Sequence, residues 1–237
     1  PIIEGTKVSE EIFSVDKDTL FPLQGHLGYE ITQSLFIGKN TLLVEGPSDI
    51  LFIQAMSHAL KQRGRTSLDP KWTICPSGGI DKIHAFASLF SGNKLNIAVL
   101  TDFAKGDKNK LQKLRQSQIL ETSQIFTTSD FLDKNESDVE DFFEPILYCN
   151  IVNNAFEIKG DNKITPKKLA DESIERTVKA TEAIFRIMPE EVAEFDHYTP
   201  AAFLIRSPDL LEGDSKPLLA SLERFEQLFI KLNNCIK

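Results

Sequence analysis

The sequence predicts an α/β protein in which helices flank a parallel β-sheet and a helical subdomain is appended at the C-terminal end. Short apolar runs rich in strand-forming residues alternate with segments of helical periodicity, which is the pattern of parallel β-α units. After Glu144 the apolar spacing is only helical. The chain has 237 residues, 41% of them hydrophobic, which is enough for a sizeable core.

Four strands are predicted from apolar runs that end in turn-forming or polar residues. These runs lie at residues 41–44, 72–75, 96–101 and 124–127. Helical spacing of apolar residues follows the first three strands, at residues 50–60, 80–90 and 107–116. A strand followed by a helix and another strand implies right-handed crossovers between parallel neighbours.

The two ends of the chain have a different character. The N-terminal part is predicted as an extended lead-in followed by a helix with Leu27, Ile31, Leu35 and Phe36 on one face. Near the C-terminus, helical spacing covers residues 146–156, 165–188 and 215–233. We therefore divide the chain into a lead-in segment and helix at 1–38, an α/β domain at 39–145 and a helical subdomain at 146–237.

Composition excludes several classes of protein. No apolar run reaches the roughly 18 to 20 residues of a membrane span, and the first residues lack the features of a signal peptide, so we expect a soluble, cytoplasmic protein without a membrane partner. Cys75, Cys149 and Cys235 lie far apart without a C-x-x-C pair, which favours reduced thiols over disulfides or zinc. The net charge of −8 excludes nucleic-acid binding through bulk positive charge.

Charged residues are concentrated in two segments. Residues 104–118 contain five basic residues and one acid, whereas residues 129–145 contain seven acids and one lysine. Runs of this kind usually form solvated faces. Here each run follows a predicted buried strand, so a local nucleic-acid contact and a metal site are also possible interpretations.

Acidic residues follow three predicted strands at the point where each strand ends. They are Glu45 with Asp49, then Asp102, and then Asp138, Glu140 and Asp141 near the fourth strand. The carboxyl ends of parallel strands meet at one edge of a sheet, where ligands bind. Asp49 can alternatively act only as a cap of the helix that it begins. Converging carboxylates repel one another, and oxygen ligands without nearby His or Cys suit Mg²⁺ or Mn²⁺.

The ordered motifs resemble a known family. V-E-G-P-S-D, S-G-G, V-L-T-D and D-V-E-D-F-F follow one another as in the Toprim (topoisomerase/primase) domain of OLD-family (overcoming lysogenisation defect) nucleases. Outside this core, F-P-L-Q-G-H-L-G-Y-E at 21–30, D-H-Y-T-P-A at 196–201 and R-F-E-Q-L-F-I-K-L-N at 224–233 resemble the C-terminal region of the same family. The resemblance covers nearly the whole chain.

The resemblance implies a metal-dependent DNA endonuclease with one or two Mg²⁺ or Mn²⁺ ions. By motif position the metal ligands are Glu45, Asp49, Asp102 and Glu140. The second aspartate of the D-x-D element is replaced by Ala104, and Asp107 is the substitute that a folded-back loop would supply. The family also uses a late lysine at the scissile phosphate, and Lys216 is the positional candidate. Glu45, Asp102 and Lys216 are therefore the predicted catalytic residues.

The predicted partner is DNA. Its backbone would lie along the basic run, with further contacts at the glycine turn; the residues are Lys105, Lys108, Lys110, Lys113, Gly78 and Gly79. Full-length OLD proteins carry an ATPase domain ahead of the Toprim part, so the resemblance implies such a domain upstream of Pro1 and a role in phage defence. The chain itself lacks a P-loop, which predicts no ATPase activity. We expect a monomer. The alternative is a non-catalytic module that binds nucleic acid or a partner protein, an interpretation that Ala104 favours.

Overall fold

The structure, a computed structural model, describes residues 39–80, 82–83, 96–116, 124–170 and 173–236. The lead-in helix predicted within 1–38 and most of the helix predicted at 80–90 lie outside these residues. The four described strands are β1 (Asn40–Val44), β2 (Trp72–Pro76), β3 (Asn96–Thr101) and β4 (Ile125–Thr127). They form one parallel sheet, as the sequence predicts, and their order in it is β2-β1-β3-β4.

The strand order reverses direction at β1. The chain passes from β1 outward to β2, then returns to the other side of β1 to form β3 and β4. In a parallel sheet such a reversal opens a crevice between neighbouring connections at the carboxyl ends of the strands. The register places Val44 beside Pro76 and Leu43 beside Val99, so the residues that follow β1, β2 and β3 come to the same edge.

Helices of very different length surround the sheet. The α-helices are α1 (Pro47–Gln62), α2 (Lys108–Gln116), α3 (Pro145–Ala155), α4 (Pro166–Leu169), α5 (Thr177–Phe185), α6 (Tyr198–Arg206) and α7 (Lys216–Asn233). Single 3₁₀ turns are found at Lys105–Asp107, Thr128–Asp130, Val139–Phe142, Gly160–Asn162 and Pro208–Leu211. In the described ranges, no helix combines the length and the apolar character that a membrane span requires.

Alternating residues of the strands pack into two separate apolar cores, one on each face of the sheet. Leu42 and Val44 of β1 face a large core that also contains the buried side chains of α1, α3, α6 and α7. Leu43 points to the opposite face, where it packs with Leu111 and Leu114 of α2. Both faces of the sheet are therefore covered, which explains why its strands read as continuous apolar runs. The large core is continuous from the sheet into the C-terminal helices.

The helical part differs from the prediction in two places. The segment 165–188 is not one helical stretch, because α4 ends at Leu169 and α5 begins only at Thr177. Thr177, the first residue of α5, is held by its amide and hydroxyl, which both donate to the Asp141 carboxylate 36 residues earlier. Helix α6 was not predicted, although its buried face, Ala201 and Leu204, joins the large core. The prediction at 215–233 is confirmed within one residue by α7.

Candidate metal centre

Glu45 and Asp102 lie at the strand-order reversal, directly after β1 and β3. The hydroxyl of Thr101, the last residue of β3, donates a short hydrogen bond to Glu45 Oε1. This bond holds the Glu45 side chain across the crevice and towards Asp102. The two acids predicted to be principal ligands are therefore adjacent at the carboxyl edge of the sheet.

Asp49 has two roles in this arrangement. It belongs to the first turn of α1, where its Oδ2 accepts a hydrogen bond from the Gly46 amide at 2.9 Å, so it does act as a cap. The side chain is also buried, with the residue 6% exposed. Burial, followed by the charges of Glu140 and Glu45, raises the pKa of Asp49 to about 8. The capping interpretation and the ligand interpretation therefore apply to the same side chain.

A short antiparallel bridge brings the acidic loop to the sheet edge. The backbones of Phe103 and Ser137 exchange two hydrogen bonds, each 2.9 Å long. Ser137 is fixed further by the Thr128 hydroxyl, which donates to its carbonyl oxygen at 2.8 Å. Glu140, three residues after Ser137, is 3% exposed. The loop thus places Glu140 beside acids that precede it by 38 to 95 residues in the chain.

The neighbouring Asp141 has a structural role. Its side chain is fully buried and accepts hydrogen bonds from the Asp138 amide at 2.8 Å and from the Lys134 ammonium group at 2.5 Å. The amide of Thr177 adds a third bond at 3.2 Å. Since its acceptor sites are used in this way, Asp141 holds the loop together and is not a ligand candidate.

Two basic side chains complete the site, and sequence reasoning missed both. The Arg176 guanidinium donates through Nε to Asp138 Oδ1 at 2.6 Å, and its Nη2 lies 3.6 Å from Asp102 Oδ2. His197 lies with Nδ1 3.7 Å from Glu140 Oε1. The Glu140 carboxylate raises the pKa of His197. His197 was visible only within the motif D-H-Y-T-P-A, and Arg176 belongs to no motif that we recognised.

The carboxylates perturb one another strongly. Burial raises the pKa of Asp102 well above its ordinary value, and the charges of Asp49, Asp138, Glu45 and Glu140 add to this effect. Burial also raises the pKa of Glu45 and brings that of Asp138 to about 6. The charged form of this cluster is therefore unfavourable without a cation beyond Arg176 and His197.

The donor set fits a hard divalent cation. All candidate ligand atoms are carboxylate oxygens, and two buried ones, Asp102 Oδ1 and Asp138 Oδ2, have no hydrogen-bond partner among the described residues. Within the same ranges, no three His, Cys, Asp or Glu side chains already form a group that could hold a metal ion. Mg²⁺ commonly uses only one or two carboxylates and keeps several waters, so the fit does not require such a group.

Asp107 lies at the end of the 3₁₀ turn that follows Ala104. Its carboxylate pairs with Lys110 at 3.6 Å, and its charge contributes to the raised pKa of Glu45. The loop therefore does fold back far enough for the two acids to interact. This position agrees with the predicted replacement of the missing D-x-D aspartate, whose ligand role stays a prediction.

The glycine turn after β2 borders the same crevice. The Gly78 amide donates to the Glu45 carbonyl oxygen at 2.9 Å, and Gly78 and Gly79 both have positive φ angles, 76° and 109°. A Cβ atom on Gly78 would lie 3.3 Å from the Lys82 ammonium nitrogen. Gly78 therefore leaves room for the exposed side chain of Lys82, which is a further DNA-contact candidate not foreseen in the sequence.

The predicted lysines occupy different surroundings. Lys105, Lys108, Lys110 and Lys113 are all exposed on the segment that follows Asp102. Lys216 is exposed at the first position of α7, and no hydrogen bond or ion pair joins it to the carboxylates in the part of the chain that the structure describes. The basic run therefore follows Asp102 closely in the sequence. Lys216 makes no hydrogen bond or ion pair with the acids among the described residues.

In metal-free buffer, the melting temperature is expected to fall as pH rises from about 4 to about 8. Folded Asp49 keeps its proton up to about pH 8, whereas the unfolded carboxyl loses it near its ordinary value of 3.8, so the folded state binds more protons between these limits. Asp49→Asn removes this contribution. The melting-temperature difference between about pH 5.5 and about pH 8.5 should shrink by about 3 °C or more, measured by calorimetry.

Asp130→Asn provides the matched control. Asp130 also caps a turn, accepting from the Thr127 amide at 2.7 Å, but it is exposed and lies outside the acidic cluster. Its replacement should leave the pH profile as in the wild type. Identical profiles for Asp49→Asn and Asp130→Asn would contradict the assigned pKa of Asp49.

The first part of the described sheet lies in a segment that is similar to a known family. Residues 36–103 match the model of the TOPRIM domain of overcoming lysogenization defect protein-like proteins, which confirms the predicted resemblance for this part of the chain. The matched residues include Glu45, Asp49 and Asp102. This domain supports a nucleic-acid-related function. Glu140, Arg176 and Lys216 lie beyond the match.

The chain is also similar to solved structures of one bacterial protein. The C-terminal region of the OLD protein of Xanthomonas campestris pv. campestris, phased with platinum, is 15% identical, with a TM-score of 0.48 over 83% of this chain and 96% of that one. The mercury-phased structure of the same region is also 15% identical, with a TM-score of 0.46 over 82% and 98% of the two chains. No match was found among curated proteins.

Proposed function

We propose that the protein is a divalent-metal-dependent DNA endonuclease. The observation that supports this best is the convergence of four buried or half-buried acids, Glu45, Asp49, Asp102 and Glu140, at the strand-order reversal of a Toprim domain. Toprim domains generally bind divalent metal ions. Carboxylates that repel one another in a buried crevice persist most readily when cations occupy it.

The reaction is hydrolysis of a phosphodiester. Water oxygen bonds to phosphorus, the bond from phosphorus to the 3′ oxygen breaks, one water proton ends on that oxygen, and the other goes to solvent. A divalent ion held by Glu45 and Asp102, with Asp49 and Glu140 beside it, would make hydroxide available near neutral pH. The carboxylates themselves fix the position of the site within a largely buried crevice.

The basic run and the glycine turn supply the DNA path. The exposed lysines of α2 follow Asp102 in the sequence, and the turn at Gly78 is bonded to the Glu45 backbone and approached by exposed Lys82, so we expect DNA to contact both segments. Acids alone repel DNA, and their repulsion is offset by cations in the crevice and by these flanking lysines. An ATPase domain as partner remains a prediction.

Incubation of supercoiled plasmid with Mg²⁺, Mn²⁺ or EDTA tests the proposal. Cleavage is expected with either ion and none in EDTA, and Mn²⁺ should support at least as much cleavage as Mg²⁺ because a depleted ligand set tolerates the softer ion. Gel electrophoresis separates nicked, linear and intact plasmid. Cleavage that persists after complete chelation would overturn the metal-dependent mechanism.

A non-catalytic nucleic-acid-binding module is the second candidate. Ala104 at the D-x-D position favours it, as does the absence of a ready-made group of three ligands among the described residues. This alternative predicts DNA binding in a mobility-shift assay with no cleavage under either ion. The plasmid experiment therefore separates the two candidates.

A further inference from the structure

Arg176 lies at the centre of the acidic cluster. It immediately precedes α5, and its Nε and Nη2 both bind a single oxygen of Asp138, while Nη2 also approaches Asp102 Oδ2 at 3.6 Å. The two remaining oxygens, Asp102 Oδ1 and Asp138 Oδ2, are the ones without a hydrogen-bond partner in the described part of the chain. The guanidinium thus bridges two carboxylates from separate loops.

Arg176 lies in the same group of acids from which the second D-x-D aspartate is missing. Two divalent ions at one site need enough carboxylates to neutralise them, and Ala104 stands where the family resemblance implies one such carboxylate. Arg176 adds a fixed positive charge to the same group of acids. One guanidinium and one divalent ion would neutralise three of the five negative charges on Glu45, Asp49, Asp102, Asp138 and Glu140, each counted as ionised.

We propose that Arg176 takes the place of a second metal ion, so that the site holds one divalent cation and the guanidinium contacts the DNA phosphate. The inference rests on the proposed nuclease function. The Arg176 side chain is 20% exposed, so part of the guanidinium is open to solvent. A guanidinium binds phosphate oxygens in a bidentate manner, which an ammonium group does not reproduce.

A purely structural role for Arg176 has different consequences. Arg224 shows what such a role looks like, since it ties α7 to Glu144 through a comparable ion pair outside the cluster. If Arg176 only ties α5 to the acidic loop, its replacement should lower stability as Arg224 replacement does, without changing how many ions bind. If Arg176 replaces a metal ion, the acids that lose their partner when Arg176 is removed should bind a second divalent ion.

Equilibrium dialysis against Mn²⁺ in the absence of DNA is the primary test. The wild type is expected to bind one ion, Arg176→Lys one, and Arg176→Met two. Fluorescence anisotropy with a short duplex in EDTA should show that Arg176→Met binds DNA about 10-fold more weakly, because a charge-assisted phosphate contact is lost. Arg224→Lys should match the wild type in both measurements.

The possible failures are distinguishable. A wild type that neither binds Mn²⁺ nor cleaves plasmid overturns the proposed function itself. A wild type that cleaves but binds two ions, or an Arg176→Met protein with one ion and unchanged DNA affinity, overturns only the role of Arg176. If Arg176→Met does not fold, the Arg176→Met/Asp138→Asn pair removes both charges, and unchanged DNA affinity of that pair overturns the inference.

Discussion

Replacing Glu45 by Gln or Asp102 by Asn is expected to slow plasmid cleavage at least about 100-fold. Changes in groups that only orient metal ligands typically cost 10- to 100-fold in metal affinity or activity, so loss of a ligand should cost at least the upper end of that range. Each replacement keeps the shape of the side chain, and Gln at position 45 can still accept the Thr101 hydrogen bond. Initial rates of nicking in Mn²⁺ give the measurement.

The control is Glu144→Gln, which removes a carboxylate that follows the same acidic loop but pairs with Arg224. It should retain wild-type cleavage. Circular dichroism should show all three proteins folded, and in EDTA the Glu45 and Asp102 variants should melt no lower than the wild type, since a buried repulsion is removed. Full activity in either variant would show that these acids are not metal ligands and act only as caps or as surface charges at the sheet edge.

Reversal of Lys108, Lys110 and Lys113 to Glu is expected to weaken DNA binding at least about 10-fold at moderate salt. These exposed lysines follow Asp102 on α2, and each phosphate contact contributes about 0.9 to the slope of log affinity against log salt. Loss of three contacts should therefore flatten the slope by up to about 2.7. Anisotropy titrations over a series of salt concentrations measure both quantities.

Replacement of Lys159, Lys163 and Lys167 by Glu changes the net charge by the same amount and serves as the control for the α2 variant. These lysines are exposed on the segment between α3 and the end of α4. A flattened slope only in the α2 variant supports the proposed DNA path. Equal losses in both variants would indicate a bulk charge effect, and a slope that flattens only in the control would place the DNA on the C-terminal helical part, for example along Lys167, Lys168 and Lys216.

Much of the fold was predictable because its strands are buried on both faces. Residues 41–44 and 96–101 are apolar runs that end in turn-forming or polar residues, so their position and parallel arrangement follow from local sequence. Helix α6 and the break before α5 could not be predicted from the local sequence. Both depend on contacts distant in the chain: α6 packs into the large core, and Thr177 binds Asp141.

The candidate site was predictable only in its acids. Glu45 and Asp102 each follow a strand, so sheet topology alone brings them together. Arg176 reaches Asp138 across 38 residues, and His197 reaches Glu140 across a still longer separation. No local periodicity encodes such contacts. Lys216 is the opposite case. Its position in the motif predicted a catalytic role, but it makes no contact with the acids in the described structure.

Calorimetric titration of Mn²⁺ into the wild type and into Asp102→Asn tests most directly whether these carboxylates form a metal site. Saturable binding is expected for the wild type, with affinity at least about 10-fold lower for Asp102→Asn and unchanged for Glu144→Gln. The measurement needs neither DNA nor cleavage. Absence of binding to the wild type, or equal affinity in the Asp102 variant, would contradict a metal centre at the carboxyl edge of this sheet.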